Sequence, residues 1–519
     1  MKTTLRILIF AAALAMAAVP VTAGNPDWPN GPDEDPRLET PDDLGSGRWY
    51  LYSYIPDENV DSIRPEEADL GSGIHADAAW QVTTGTPEVV IAVLDSGINW
   101  DEIDLINKIY LNAGELPIPE GAAGYDANED GVFNMRDYTG DSRIDDANGN
   151  GRIDAGDLIR IFSDETDGDG NGYVDDIAGW DFYRHDNDPA DDTRYGHGTG
   201  EAKQAAAETN NGHGGPGVCP ECLILPVRVG DSFVAEANRF AQGVVFAADS
   251  GVGVILEALG AINNTDFARD AVAYALSRGI SFAASAADEN SFHHNYPANY
   301  NGTIYTNNVV YDTMERDAAT SFMALDTCTN WGPKVTVSAA SNNCSSGATG
   351  HIGGALGLIH SYGVELGLDP PLSPAEVMGL VTMSASDVYN PEGEDNERVY
   401  PSLPGWDKYF GHGRLNLRAA LDLIADGMIP PEALVESPRW FGTDSRRHRR
   451  DRHGPRRRAA FRLLRLPSVR AMGSHAGRRR TRADRFGVRS DDRDRRRARR
   501  AVAERPARGK SRQQRPDGG

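Results

Sequence analysis

The chain has 519 residues, of which 39% are hydrophobic, so it can build a substantial core and is not disordered overall. Its formal net charge of −25 is divided unevenly, because residues 441–519 carry 28 Lys and Arg against 8 Asp and Glu. The strongly acidic remainder is typical of an extracellular protein that binds cations, and it argues against nucleic acid as a partner of that part.

The first 23 residues have the pattern of a signal peptide. Lys2 and Arg6 precede an apolar run from Ile7 to Val19, and small residues up to Ala23 suit cleavage by a signal peptidase. The apolar run is shorter than the roughly 20 residues that a membrane-spanning helix needs, and no other long apolar stretch follows. We therefore expect a secreted protein, extracellular or periplasmic, with no membrane span.

The next predicted segment is an acidic, Pro-rich arm over residues 24–72. Its one apolar cluster, Trp49–Tyr52, predicts that the arm docks at a single place. From Gly73 onward the pattern changes, and the apolar run 88–95 predicts a buried parallel strand that ends on Asp95.

Further predicted elements alternate between strands and helices as far as residue 426, which indicates an α/β fold with a mostly parallel sheet. The predicted strands are 222–229, 253–259 and 280–284, and the predicted helices are 233–250, 266–278, 351–366 and 415–426. We assign residues 73–430 to one domain of this α/β type, with residues 124–178 as an insertion.

Residues 124–178 form an insertion that is dense in Asp, Asn and Gly and contains three loops with calcium-ligand spacing. One loop places oxygen ligands at positions 1, 3, 5, 7, 9 and 12 of an EF-hand or dockerin-type loop, namely Asp146, Asn148, Asn150, Arg152 (backbone carbonyl), Asp154 and Asp157. The preceding loop matches almost as well, through Asp126, Asn128, Asp130 and Asp137. The third has Asp167, Asp169, Asn171, Tyr173 (backbone carbonyl) and Asp175, with Asp176 nearby. These loops predict bound Ca²⁺, and the alternative is a solvated acidic insertion.

Three segments carry the residue types of nucleophilic catalysis. Asp95 ends a predicted strand, where open α/β sheets place their active sites. His197 lies in Gly-His-Gly-Thr, and Ser345 and Ser346 precede a predicted helix. A serine hydroxyl needs a base such as His to accept its proton, and a carboxylate orients that base. Taken singly, each residue also fits a turn, a loop or a helix cap.

Together these segments resemble the subtilisin-like (S8) protease family, in which the chain order is also Asp, His, Ser. The resemblance covers roughly residues 73–425. Counting back five residues from His351 implies Ser346 as the nucleophile, and Ser345 is the alternative. The resemblance implies a three-layer subtilisin-like α/β domain with a calcium-binding loop insertion, the triad Asp95, His197 and Ser346, and a monomeric serine endopeptidase that acts on polypeptides.

The resemblance also locates the oxyanion and substrate positions. The family's oxyanion Asn corresponds here to Asp288, which has to be protonated to donate a hydrogen bond. Ala258 and Gly260 lie in the segment that resembles the substrate-pairing strand and leave room for a sizeable P1 side chain. Glu257 has a structural interpretation as an ion-pair partner of Arg228 or Arg278.

The altered oxyanion residue and serine motif support a competing function, a catalytically weak or inactive protein that uses the protease fold as a calcium-dependent binding or adhesion module. The retained Asp95, His197 and Ser346 argue against it.

The four cysteines of an exported chain predict local disulfides, Cys219 with Cys222 and Cys328 with Cys344, although a Cys-x-x-Cys pair can also be redox-active or a metal half-site. The Arg-rich segment 441–519 has no hydrophobic periodicity. It fits a basic binding tail, a disordered tail or a frameshifted translation.

Overall fold

The structure is a computed structural model that describes residues 41, 44, 47–56, 71–261, 263–311, 322–391 and 400–431. The chain divides into two units, residues 1–470 and 471–519, and all of the described residues belong to the first. The predicted signal peptide, much of the acidic arm and the Arg-rich segment lie outside the described residues. Within the described part, no helix has the length and apolar character needed to cross a membrane.

A largely parallel sheet forms the centre of the domain. Its strands are β1 (Val90–Asp95), β2 (Trp180–Asp181), β3 (Leu223–Arg228), β5 (Val254–Glu257), β7 (Ser281–Ser285), β8 (Ile304–Val310), β9 (Ala324–Leu325) and β10 (Val337–Ala340). They lie in the order β10-β8-β7-β5-β1-β3-β2, with β9 antiparallel to β8. A separate parallel pair joins β4 (Val234–Ala235) to β6 (Gly260–Ala261). All six residues of β1 are buried, because its continuous apolar sequence lies between two covered faces.

Helices cover both faces of the sheet. They are α1 (Ala76–Ala79), α2 (Ala155–Phe162), α3 (His197–Ala206), α4 (Ala237–Asp249), α5 (Asp266–Ser277), α6 (Cys344–Glu365), α7 (Pro374–Ser384) and α8 (Leu417–Ala425). Alternate residues of β1 enter different core clusters, since Ile91 packs with residues of α3 and α6, whereas Leu94 packs with residues of α4 and α5. The predicted three-layer α/β architecture is therefore confirmed.

Helix α6 begins earlier than its sequence predicts. The apolar pattern predicts a start near His351, but the helix starts at Cys344 and includes Ser345 and Ser346 in its first turn. Residues 345–350 are small and are all buried. Because small residues buried on every side produce no helical period, tertiary packing rather than local pattern determines this first turn.

The described part of the arm packs onto the domain. Tyr50, Leu51 and Tyr52 are buried, and the ring of Tyr50 stacks on His351 with ring centroids 4.9 Å apart. The backbone N–H groups of Gly73 and Ile74 donate to the carbonyl oxygens of Tyr52 and Tyr50. The arm is thereby held against α6, the helix that carries Ser346.

Both predicted disulfides are present, Cys219–Cys222 and Cys328–Cys344, and they account for all four cysteines. Cys344 is the first residue of α6, so the second bridge ties the start of that helix to the loop between β9 and β10.

Candidate active site

Asp95, His197 and Ser346 come from three different elements that meet at the carboxyl edge of the sheet. Asp95 is the last residue of β1, His197 is the first of α3, and Ser346 lies in the first turn of α6. The close approach of α3 to β1 requires glycine at position 198, because a Cβ there would lie 2.5 Å from the carbonyl oxygen of Gly97 and 3.0 Å from Asp95 Cβ. Glycine therefore allows the strand and the helix to bring these side chains together.

The three side chains form a continuous hydrogen-bonded chain. His197 Nδ1 lies 2.8 and 3.0 Å from the two carboxylate oxygens of Asp95, and His197 Nε2 lies 3.0 Å from Ser346 Oγ. Asp95 is 1% exposed and accepts a further hydrogen bond from the N–H of Ser96. Burial alone would lower the pKa of His197, but the charge and hydrogen bond of Asp95 outweigh it and raise this pKa to about 9. Once neutral, the imidazole can accept a proton from Ser346.

Ser345, the alternative nucleophile, has other partners. Its Oγ donates to Asp288 Oδ1 at 2.6 Å and lies 2.7 Å from Ser285 Oγ, and its backbone N–H donates to the same Asp288 oxygen at 3.0 Å. Its side chain is fully buried. The structure therefore brings Ser346, rather than Ser345, to the imidazole.

Asp288 lies beside the nucleophile through its two hydrogen bonds from Ser345. Desolvation raises the pKa of its carboxyl, and the hydrogen bonds from Ser345 act in the opposite direction. The hydrogen bonds that the carboxyl accepts from Ser345 favour its ionised form. The carboxyl of Asp288 becomes protonated, and hence neutral, as the pH falls.

The predicted substrate-binding residues border the same site. The backbone carbonyl of Ala258 lies 3.3 Å from Ser346 Oγ. A Cβ on Gly260 would lie 3.2 Å from Oδ1 of Asn295, a buried residue to which the sequence analysis assigned no role. The Asn295 amide donates to the carbonyl of Ser285 at 3.0 Å and reaches that of Leu259 at 3.4 Å. Asn295 thus joins the segment after β5 to the end of β7.

Comparison with known proteins agrees with this geometry. The model of the subtilase family, peptidase S8, matches residues 86–413. The chain belongs to the subtilase family. It is thus a member of a family of serine-type peptidases.

Two curated relatives illustrate the extent of the similarity. This subtilase is 34% identical to thermitase of Thermoactinomyces vulgaris over 196 residues, which are 36% of this chain and 68% of thermitase. It is 32% identical to a thermophilic serine proteinase of Bacillus sp. (strain AK1) over 248 residues, which are 46% of this chain and 55% of that protein. The match therefore spans only about half of the second relative.

Two solved structures are similar to this chain at low identity. A lanthipeptide protease is 15% identical with a TM-score of 0.43, and the match covers 67% of this chain and 93% of that one. A protease from Pseudoalteromonas arctica is 20% identical with a TM-score of 0.41, and the match covers 72% of this chain and 99% of that one.

Two buried carboxyls near Asp95 and His197 were not predicted correctly from the sequence. Glu257 was interpreted as an ion-pair partner of Arg228 or Arg278, and this is wrong, because Arg228 pairs instead with Asp181 and Asp192. Although the Leu259 N–H is directed toward Glu257, neither carboxylate oxygen has a hydrogen-bond partner of normal geometry among the residues that the structure describes. Burial raises the pKa of Glu257 well above its usual value. Glu201, hidden in an Ala-rich segment, is the second buried carboxyl and is 1% exposed.

Two of the predicted calcium loops share one backbone arrangement. In the loop that begins at Asp146, the Asp146 carboxylate accepts N–H bonds from Asn150 and Gly151, and Asp157 accepts those of Asn148 and Asp154. Asp154 then caps α2. The loop that begins at Asp126 repeats this pattern, with Asp137 in the equivalent of the Asp157 position. Asp137 lies in a 3-10 helix (Met135–Tyr138) that Asn134 caps.

The third loop differs from its prediction at the last ligand. Asp167 accepts N–H bonds from Asn171 and Gly172 as in the other loops, but Asp175 faces away and accepts from the N–H groups of Asp164 and Glu165. Its neighbour Asp176 reaches the side-chain amides of Asn171 and Asn112 instead. Asp175 lies in a turn with a left-handed backbone (φ 57°), and this turn places Asp176 rather than Asp175 toward the loop.

The donor set in this third loop fits a hard cation. Carboxylate oxygens of Glu115, Asp167 and Asp169 lie within 4.8 Å of one another. Burial raises the pKa of the adjacent Asp176 to about 7 and that of Asp154, in the Asp146 loop, to about 6. Clustered oxygen ligands of this kind are those that Ca²⁺ prefers, and a divalent ion would offset their mutual repulsion.

Proposed function

We propose that this subtilase is a secreted serine endopeptidase that cleaves polypeptides through an acyl-enzyme intermediate. The observation that carries the proposal is the hydrogen-bonded chain from Asp95 through His197 to Ser346. Ser346 Oγ attacks the scissile carbonyl carbon while His197 Nε2 takes the hydroxyl proton. His197 then returns that proton to the leaving amine, and water later releases the acyl group from Ser346 by the same acid–base steps.

Asp95 supports the base without reacting itself. Its two oxygens accept from the Nδ1 side of the imidazole, which leaves Nε2 directed at the nucleophile. The buried carboxylate also stabilises the imidazolium that forms during attack.

The developing oxyanion has the backbone N–H of Ser346 as its natural donor, because the first N–H groups of a helix have no partner within it and that of Ser345 is bonded to Asp288. Asp288 assists only when protonated. When ionised, it places a negative charge near the oxyanion, which predicts a protease that is slow near neutral pH.

The segment from Ala258 to Gly260 is proposed to bind the substrate. The position of Ala258 against Ser346 Oγ supports this assignment, since a substrate lying along this segment has its scissile carbonyl within reach of the nucleophile. The small residues at 258 and 260 leave space for a sizeable P1 side chain.

Calcium is the proposed cofactor of the insertion. Bound Ca²⁺ would neutralise clustered carboxylates and order the loops. The side-chain ligands would be Asp146, Asn148, Asn150, Asp154 and Asp157 in one loop, Asp126, Asn128, Asp130 and Asp137 in another, and Asp167, Asp169 and Asn171 in the third, where Asp176 replaces Asp175. Arg152 and Tyr173 would contribute backbone carbonyl oxygens.

The calcium proposal is tested by limited proteolysis with and without a chelator. We expect a chelator to make the insertion of the wild-type protein sensitive to proteolysis. Asp146→Ala should make the insertion more sensitive even in calcium, and Asp145→Ala, a neighbouring change outside the ligand spacing, should not. If the chelator leaves the cleavage pattern unchanged, the cofactor proposal is wrong.

A serine-directed fluorophosphonate tests the catalytic proposal. We expect wild-type protein and Ser345→Ala to be labelled and Ser346→Ala to remain unlabelled, because Ser346 is the serine bonded to His197. Absence of label on correctly folded wild-type protein would favour a calcium-dependent binding or adhesion module instead.

A further inference from the structure

The two helices that carry the base and the nucleophile meet at a buried polar contact. Glu201 lies one turn after His197 on α3 and is 1% exposed. It faces α6 at Gly350, one turn after Ser346, where an added Cβ would lie 2.7 Å from Glu201 Oε2. Glycine at position 350 therefore makes room for a carboxyl group between the helices.

Few hydrogen-bond donors reach the carboxyl of Glu201 at this contact. The Gly350 N–H is directed toward Glu201, but among the described residues Glu201 Oε2 and Gln204 Oε1 are both buried without a hydrogen-bond partner of normal geometry. Both oxygens lie within 3.0 Å of the same point, the position of the missing Gly350 Cβ. A buried acceptor that lacks a donor is costly, and a proton on Glu201 would lower that cost.

Burial favours a proton on Glu201, whereas the nearby charges act in both directions. Burial raises the pKa of Glu201 to about 8; the charge of His197 opposes that shift, whereas Asp95 and Asp288 reinforce it. His197 in turn faces Asp95 from β1, Ser346 from α6, Asp288 from the loop after β7, and the stacked ring of Tyr195, 5.8 Å away. The imidazole of His197 thus interacts electrostatically with several carboxyl groups in a site of low dielectric.

We propose that Glu201 is a positioning residue for the catalytic base: a buried carboxylic acid that exchanges a proton with His197 and so sets the pH at which the enzyme becomes active. With its proton on Glu201, the pair leaves His197 neutral and able to accept from Ser346. The same single proton on His197 leaves an imidazolium and a carboxylate, which cannot begin attack. The two forms differ only in where one proton lies, so the pair titrates as a unit.

The inference rests on the proposed protease activity, and its main test is the pH dependence of kcat/KM in Glu201→Gln. Glutamine keeps the shape but cannot become anionic, so His197 loses one source of stabilisation for its charged form. We expect the acidic limb of the profile to move down by about 1 pH unit, the lower end of the effect of a nearby opposite charge. Well below the midpoint, this shift corresponds to a roughly tenfold rise in kcat/KM.

Two further variants separate this role from a structural one. Glu201→Val also lacks the charge and should move the limb in the same direction. Glu102→Gln removes a carboxylate that contacts α3 through Lys203, 3.0 Å away, and should leave the profile in place. An unchanged limb in Glu201→Gln, a shift to higher pH, or an equal shift in Glu102→Gln would each overturn the proposal.

NMR titration of the His197 imidazole separates failure of this inference from failure of the proposed function. In a Ser346→Ala background, which has no nucleophile, Glu201→Gln should still lower the midpoint of the His197 titration by about 1 pH unit. A midpoint that does not move refutes the role of Glu201 even if the wild-type protein is an active protease. A shifted midpoint in a protein that fluorophosphonate does not label would support the proton exchange and refute the protease.

Discussion

Replacing Asp288 with asparagine tests whether this subtilase is limited by its oxyanion site. Asp288 Oδ1 accepts both the N–H and the Oγ–H of Ser345, at 3.0 and 2.6 Å. In Asp288→Asn the amide oxygen can keep both hydrogen bonds, and the NH₂ group takes the place of Oδ2. The substitution therefore exchanges a potential anion for a donor without removing the contacts that hold the side chain.

The size of the effect follows from the charge and exposure of Asp288. Removing one oxyanion donor costs about 10²–10³ in rate, so supplying one has a comparable upper limit. Because Asp288 reaches solvent, its charge is partly screened. We therefore expect kcat to rise about tenfold to hundredfold above the pKa of Asp288. Below that pKa the wild-type carboxyl is neutral and can itself donate, so the gain should largely disappear.

The assay is kcat for a fluorogenic peptide, measured from acidic to alkaline pH in both proteins. The ratio of variant to wild-type kcat should increase with pH, because desolvation raises the pKa of Asp288 and its carboxyl ionises as pH passes that value. Glu289→Gln removes the neighbouring charge and is the matched control, with a ratio near one. A ratio for Asp288→Asn that stays near one at every pH would refute the reasoning.

Three further changes test the energetics of the fold by chemical denaturation. Arg228→Met leaves the buried carboxylate of Asp181 without its ion pair, and we expect a loss of about 3–5 kcal/mol in the free energy of unfolding; a loss below 1 kcal/mol would contradict the assigned pairing. Replacing Cys328 and Cys344 together by serine opens a cross-link with a sequence separation of 16 and should cost about 3 kcal/mol, with unchanged stability as the contrary result. Burial raises the pKa of Glu257, so the folded protein keeps a proton that the unfolded chain releases above about pH 4.3. The free energy of unfolding therefore falls as pH rises from the pKa of the unfolded chain to that of the folded protein. Glu257→Gln should abolish that loss, so its stability advantage should grow with pH; an advantage that is constant with pH would argue that Glu257 is ionised in the fold.

The parts of the site that could be predicted from the sequence are those whose information is local. A calcium loop needs oxygens spaced over about twelve residues, so its ligands are visible in one short segment. Asp95 could be placed because a buried strand ends on it. Ser346 required counting from His351, and no local pattern could decide between it and Ser345. The structure separates the two serines through contacts with His197 and Asp288, which are distant in the chain.

The buried acids could not be predicted because their meaning depends on partners from other elements. Glu201 has the local pattern of an ordinary helix residue, and only the packing of α3 against Gly350 of α6 shows that it is enclosed. The sequence offered an arginine as the ion-pair partner of Glu257, but Arg228 forms its ion pairs with Asp181 and Asp192 instead. Charge type is visible in a sequence, whereas pairing is a property of the tertiary contacts.

The insertion and the proposed catalytic residues are joined by a short series of contacts. Gly156 at the start of α2 packs against Trp100, where a Cβ would lie 2.6 Å from Trp100 Cδ1. Trp100 Nε1 donates to Asp188 at 2.9 Å, and nearby Asp191 accepts the N–H of Gly196, the residue before His197. The Asp146 loop therefore packs against the segment that follows Asp95 and is linked to the one that precedes His197. Ordering this loop restrains the backbone next to both Asp95 and His197, whose side chains are hydrogen-bonded to each other. This gives the insertion a physical reason to lie between Asp95 and His197 in the chain.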